Sequence, residues 1–402
     1  MTDNGAGRHL EELGGLVRTL QIRILAQHVV KLSSPHPRYL VGAGKAEELK
    51  AEAVELEADC IVFDDDLSPS QQRNWERLTG IAVIDRHEVI LDIFAARAST
   101  REATLQVGLA RMEYSLPRLT RAWTHLSRQH GGARGTRGEG ETQLEMDRRV
   151  VLQKISRMKH ELERVRSQRD TRRRRREEHD VPTGSVVGYT NAGKSSLLNA
   201  LSGANVLVED KLFATLDPTT RKVSLGEGRE VLLTDTVGFI RQLPHDLVMA
   251  FKSTLEETVL SDFLLIVLDL SSPEIATHYA TTMTVLEELG VRDKPTITVF
   301  NKIDSADDAL YARELESRVT GGVYVSAKTG EGLDTLIAAI DAMASSRSHS
   351  LRFALPGGRY DLLALLHRTG KILGTRYEDD LIFVSALVPD RTRNLLAAYI
   401  DA

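Results

Sequence analysis

With 402 residues, 42% of them hydrophobic and 27% charged, the chain should be soluble and globular, with room for about two to four domains that each bury a core. A formal net charge of -5 excludes a general basic excess, so any nucleic-acid surface must be a local concentration of Lys and Arg. Cys60 is the single cysteine and cannot form an internal disulfide, no apolar run approaches the roughly 20 residues of a membrane span, and no secretory h-region opens the chain; together these predict a cytoplasmic protein.

Met1 to Gly7 reads as disordered. From about Leu10 to Arg97, helical periodicity (Ala46 to Ala58, Pro69 to Leu78) alternates with short apolar runs (Cys60 to Phe63, Ile81 to Ile84), which predicts a small α/β layer with Cys60 in its core. Gly42-Ala43-Gly44-Lys45 resembles half a phosphate loop but lacks the spacer and the following hydroxyl. It reads as a turn and helix start, with phosphate contact as the alternative. Asp64, Asp65 and Asp66 precede a Ser-Pro helix start, where carboxylates serve as solvated capping rather than as a metal site.

Leu105, Leu109, Met112, Leu116 and Leu119 then recur in alternating steps of four and three, and Val151, Ile155, Met158, Leu162 and Val165 repeat that seam. Two such helices predict an antiparallel hairpin, with Pro117 kinking the first or marking a restart. The tip, Gly131 to Gly140, contains almost nothing that could form a core. Small residues allow close approach to sugar-phosphate, and the arginines in and around the tip (Arg128, Arg134, Arg137, Arg148, Arg149) suit phosphates or base stacking, so RNA contact is expected there. Arg172 to Arg176 is either a solvated linker or a second such patch.

Gly188-Tyr189-Thr190-Asn191-Ala192-Gly193-Lys194-Ser195 fits the phosphate-loop pattern, with a strand ending at Val186 and Val187 and a helix starting at Ser196 and Leu197. The helix N-terminus would face the phosphates, Lys194 would reach the β and γ groups, and the Ser195 hydroxyl would ligate Mg2+. Downstream, the segment Leu212 to Thr220, with Phe213, Ala214 and Thr215, offers a threonine for that ion; Thr215 is preferred over Thr219 and Thr220. Asp235-Thr236-Val237-Gly238 follows a strand, with the carboxylate placed to hold Mg2+ through water and the Gly238 N–H to meet the γ-phosphate. Lys194, Thr215 and Gly238 are thus the candidate catalytic groups. Asn301-Lys302-Ile303-Asp304 supplies a carboxylate matching the guanine N1–H and N2 donors, and Ser326-Ala327-Lys328 supplies N–H groups for the guanine O6. Each stretch sits at a strand end, which predicts an α/β, doubly wound, mostly parallel sheet of the P-loop GTPase type.

The chain resembles the HflX family of ribosome-associated GTPases, in the Obg-HflX group. The likeness rests on the phosphate loop, on Phe213 to Thr219, on Asp235 to Ile240, and on Arg137-Gly138-Glu139-Gly140-Glu141-Thr142-Gln143-Leu144-Glu145 with Asp147-Arg148-Arg149. It implies a protein that binds GTP and GDP, engages the large ribosomal subunit and its rRNA through the hairpin tip, and splits stalled or idle ribosomes. The expected domains are an N-terminal α/β subdomain (1–100), the hairpin (101–180), the GTPase domain (181–346) and a small α+β C-terminal domain (347–402), with Ser345 to Ser350 as a polar linker and the whole acting as a monomer. An ATP-dependent RNA remodeller, or a nucleotide-gated binding factor with incidental turnover, are the competing readings. Phe239 stands where related GTPases carry a water-orienting glutamine, which predicts slow intrinsic hydrolysis accelerated by a partner. Asn191 leaves two readings open, a turn-stabilising side chain or a ligand to K+.

Overall fold

The computed structural model of the protein describes residues 3–119, 139–177, 181–203, 212–213, 215–226, 229–241, 252–305, 319, 321–345, 348–378 and 380–401. Arg128, Arg134, Arg137, the 131–138 part of the tip and Ala214 lie outside them. The chain forms two compact units, one within Met1–Val165 and one comprising Arg166–Gln242 with Lys252–Ala402.

The first unit begins with α1 (Asp3–Thr19), so Asp3 to Gly7 is helical where disorder was expected. It continues through α2 (Ala43–Glu55), β1 (Cys60–Phe63), α3 (Pro69–Thr79), β2 (Ala82–Asp85), α4 (Arg86–Arg97) and α5 (Arg101–Leu119). The two strands pair in parallel, and Trp75 anchors their core between Tyr39 and Phe63, its indole N–H donating to the Tyr39 carbonyl (2.8 Å). Gly42 caps α2 and Lys45 pairs with Glu48 (2.6 Å), so the half phosphate loop is a helix start. The Asp run is not the cap of α3. Ser68 and Gln71 form a capping box there, while Asp64 pairs with the buried Arg86 (2.7 Å), because a guanidinium taken out of water needs a carboxylate partner more than a helix end does. Cys60 is half-buried and not fully in the core, and that burial, with Glu88 nearby, pushes the thiol up to about 11.

Helix α5 runs to Leu119 with Pro117 inside its last turn. The seam joins it to α6 (Glu139–Glu177), with Leu109, Ile155 and Leu162 buried and Leu105, Met112, Leu116 and Val151 around them. Gly108 admits the partner helix: a Cβ there would stand 2.6 Å from the Met158 methyl. The other face of α5, including Ala103, Val107 and Ala110, is also buried, and Tyr114 donates from that helix to the Asp85 carboxylate (2.7 Å).

In the second unit a six-stranded sheet is ordered β4-β5-β3-β6-β7-β8. Its strands are β3 (Thr183–Gly188), β4 (Thr219–Gly226), β5 (Arg229–Asp235), β6 (Phe263–Asp269), β7 (Thr296–Asn301) and β8 (Val323–Tyr324), and only β4 is antiparallel to its neighbour. Phe263 to Leu268 is an unbroken buried run, as a strand covered on both faces requires. The helices are α7 (Lys194–Ser202), α8 (Lys252–Leu260), α9 (Ile275–Glu288) and α10 (Leu333–Ser345). Parallel strands send all their C-terminal ends to one edge, and the sequence motifs follow those ends.

Beyond α10, a four-stranded antiparallel sheet is built from β9 (Ser348–Pro356), β10 (Lys371–Glu378), β11 (Leu381–Pro389) and β12 (Ile400–Asp401), packed with α11 (Tyr360–Thr369) and α12 (Asp390–Leu395). The expected linker is shorter than read, since Ser348 to Ser350 already pair with β11. Polar residues on a strand with one solvated face look like linker when read alone.

Candidate guanine-nucleotide site

Gly188 ends β3 at φ +147 with the Val267 carbonyl 2.2 Å from where a Cβ would be, so no side chain fits. The loop then turns through Asn191, at φ +60, a left-handed position that asparagine tolerates. Gly193 caps α7 without any side-chain bond, which leaves the first amides of the helix free for an anion. Lys194 is buried and its Nζ donates to the carbonyls of Gly188 (3.1 Å) and Tyr189 (2.8 Å); burial pushes its amine down to about 8. A cleft of about 420 Å³ opens beside it, lined among others by Thr190, Asn191, Ser195, Ser196, Phe213, Thr236, Lys302 and Lys328.

At one end of the cleft, Ser195 and Thr215 donate to the same oxygen of Asp235 (2.6 and 2.8 Å), and their own oxygens stand 2.8 Å apart. Two hydroxyl protons cannot satisfy three such contacts with an ionised carboxylate. The second Asp235 oxygen is buried with no hydrogen-bond partner, and burial pushes the carboxyl above the usual range, against the pull of Lys194. This all-oxygen set fits a hard cation: neighbouring ligands of an octahedral Mg2+ at about 2.0–2.1 Å lie about 3 Å apart, as the Ser195 and Thr215 hydroxyl oxygens do, with Asp235 beside them to reach the ion through water. Thr219 and Thr220 are on β4, with the Thr220 hydroxyl against that of Thr234 (2.9 Å), so the structure brings Thr215 and not its rivals to Ser195. Gly238 closes this end; a Cβ on it would come 3.0 Å from Lys194 Nζ.

At the other end, the buried Asn301 donates to the Ala192 carbonyl (2.9 Å) and accepts from the Ala327 amide (3.0 Å). Asp304 accepts from the Ser326 hydroxyl (2.6 Å), a bond that holds its carboxyl below the usual range. Lys328 stands 3.9 Å from the same carboxylate. The Ala327 N–H expected at a guanine O6 is thus engaged by Asn301 in this structure.

Some expected residues stand elsewhere. The Tyr189 ring stacks on His278 (centroids 3.8 Å apart) and its hydroxyl accepts from the Arg241 amide (2.9 Å), so only its backbone serves the loop. Thr236 spends its hydroxyl on the Val186 carbonyl (2.8 Å), and Val237 is buried. Arg148 and Arg149 are exposed on α6 in the other unit. Sequence reasoning missed Asp269, which pairs with Lys302 (2.7 Å) from the end of β6, although an acidic residue closing an apolar strand was a visible signal. It also missed the Ser326 hydroxyl as the group that aims Asp304.

A doubly wound sheet whose phosphate loop, hydroxyl–carboxylate cluster and N-K-x-D loop face one cleft defines a P-loop GTPase, an enzyme that hydrolyses GTP to GDP and phosphate. Residues 7–95 match the family described as GTP-binding GTPase N-terminal, 97–176 its middle region, and 183–302 the 50S ribosome-binding GTPase. The chain is 51% identical over 405 residues to the GTPase HflX of Akkermansia muciniphila, covering 97% of this chain and 92% of that one. It is 46% identical over 355 residues to the GTPase HflX of Escherichia coli, covering 87% and 83%. Among solved structures, a GTP-binding protein from Sulfolobus solfataricus in complex with GDP is 25% identical over 85% of this chain and 97% of that one, with a TM-score of 0.46. The chain belongs to the HflX family of GTPases.

Proposed function

We propose that the protein uses its GTPase cycle to engage the large ribosomal subunit and split stalled or idle ribosomes, acting as a cytoplasmic monomer. The observation that carries this reading is the meeting of Thr215 with Ser195 and Asp235, because it ties a loop segment to the place where the γ-phosphate would sit. The Lys194 amine meets the β and γ phosphates, the Gly238 N–H meets the γ-phosphate, and Asp304, aimed by Ser326, selects guanine. Ser195 and Thr215 would hold Mg2+ directly, and Asp235 would hold it through water. When bound, this ion neutralises charge that develops on the phosphates. Loss of the γ-phosphate frees Thr215 and Gly238, which relaxes both segments.

The ribosomal part is supported by the 50S ribosome-binding description of the family matched by 183–302 and by exposed Arg148 and Arg149 on the 39-residue α6. Arg128, Arg134 and Arg137 complete the RNA-facing set. The proposed domain organisation is four parts, 1–100, 101–180, 181–346 and 347–402, whereas the compact units divide at Val165/Arg166, inside the second of them. Asn191, exposed at the cleft mouth, would meet a K+ ion; equal hydrolysis rates in potassium and sodium salts would remove that role.

Co-sedimentation with ribosomal subunits and a subunit-dissociation assay test the reading. GTP should support binding and splitting in the wild type, and both should be lost in Lys194→Ala and in Arg134→Glu/Arg137→Glu. Undiminished ribosome binding by the arginine variant would sink it. Splitting with a non-hydrolysable analogue would place the work in binding and leave hydrolysis to release.

A further inference from the structure

Thr190 occupies the second spacer position of the phosphate loop. Its amide donates to the Phe239 carbonyl (2.7 Å), and Gly238 packs so closely that a Cβ there would lie 2.9 Å from both Thr190 Cα and its methyl carbon. The residue is 7% exposed and lines the cleft with Lys194, Ser195, Thr215 and Gly238. Its hydroxyl oxygen is buried and has no hydrogen-bond partner.

A buried hydroxyl without a partner lowers stability, so a position that keeps one has use for it in another state of the site. The neighbouring hydroxyls are committed, Ser195 and Thr215 to Asp235 and Thr236 to the Val186 carbonyl. Phe239, which follows Gly238 where a polar side chain would orient water, has its ring in the core at 1% exposure. Hydrolysis still needs a group that aligns the nucleophile, because an attacking water held out of line loses most of the benefit of proximity.

We propose that the Thr190 hydroxyl is a catalytic residue that accepts a hydrogen bond from the attacking water and holds it in line with the γ-phosphate. The inference rests on the guanine-nucleotide reading of the cleft. In the step it serves, the water oxygen bonds to the γ-phosphorus and the bond to the oxygen bridging the β-phosphate breaks. The electron pair of that bond stays on GDP, and a water proton passes to a γ-phosphate oxygen. Thr190 orients the water and exchanges no proton.

The test is single-turnover GTP hydrolysis by the full chain as wild type, Thr190→Val, Thr190→Ser and Lys194→Ala, with a fluorescent GDP analogue as the binding probe. Valine keeps the shape and removes the hydroxyl. Its hydrolysis rate constant should fall at least about tenfold while GDP affinity changes by less than about threefold, and serine should stay within about threefold of wild type. Hydrolysis by Thr190→Val at the wild-type rate overturns the proposal. So does an equal weakening of GDP binding, since GDP has no γ-phosphate and the effect would then be packing. A wild type that fails to bind the GDP probe, or Lys194→Ala that hydrolyses normally, overturns the reading of the cleft itself, in arms that do not involve Thr190.

Discussion

The Asn301 side-chain amide donates to the Ala192 carbonyl at 2.9 Å, so the base-facing loop and the phosphate loop are held by one buried residue. Its oxygen takes the Ala327 amide as well. Asn301→Ala leaves the buried Ala192 carbonyl unpaired, at about 1–3 kcal/mol, and removes the acceptor of the part-buried Ala327 N–H. The variant should lose GDP affinity and unfold at lower denaturant, as titration and chemical denaturation will measure; unchanged values for both would show that the bridge is dispensable.

Asp304 is expected to read the two donors on the guanine edge. Replacing it with asparagine substitutes an N–H donor for one acceptor, so one of the two guanine donors is left facing another donor. Asp304→Asn should therefore bind GDP at least about tenfold more weakly. It should also lose the wild-type preference for GDP over the inosine nucleotide, which lacks the 2-amino group. Competition between the two nucleotides measures this, and a preference that survives would remove Asp304 from base recognition.

Lys194 ties nucleotide binding and stability to pH. Burial pushes its amine down to about 8 from 10.5, so between those values the folded, nucleotide-free protein binds fewer protons than the unfolded chain. Stability therefore rises with pH through that window from this group, and the cost of burying the charge is felt in full only below it. Lys194→Met should abolish this rise when denaturation midpoints are compared at about pH 7 and about pH 10. Phosphates favour the charged amine, so wild-type GDP binding above about pH 8 should take up protons and weaken as pH increases. Calorimetry in two buffers of different ionisation enthalpy reads that uptake.

Phe239 marks a substitution that should not help. Its ring is buried, its amide donates to the Gly188 carbonyl (3.0 Å) and its carbonyl accepts from Thr190. Phe239→Gln places an amide in the core and is expected to lower the melting temperature without raising intrinsic hydrolysis. Phe239→Ala should cost about 3–5 kcal/mol through the cavity it leaves. A glutamine variant that hydrolyses GTP faster than wild type would show that the ring swings into the cleft.

The nucleotide motifs were legible because their constraints are local. Gly188 and Gly193 are needed where a Cβ would strike Val267 or Asn301, and Asn191 suits its left-handed backbone. The run Phe263 to Leu268 announced a central strand, and the leucine steps announced the α5–α6 seam. Less visible were β4 and β9, whose period-two alternation rests on few apolar residues set among polar ones, Val223 and Leu225 on β4 and Leu351, Phe353 and Leu355 on β9, and the pairing of Asp64 with Arg86 across 22 positions.

The order of residues alone determined that this chain binds guanine nucleotide and hydrolyses GTP, since steric and donor–acceptor rules within short motifs demand those side chains wherever the motif folds. The sheet decided which side chains meet. It selected Thr215 over Thr219 and Thr220, set Asp269 against Lys302, and left the Thr190 hydroxyl buried without a partner at the cleft. Those outcomes depend on strand order and on loops packed from distant positions, which bring groups far apart along the chain within hydrogen-bonding distance and leave no periodic trace in the sequence.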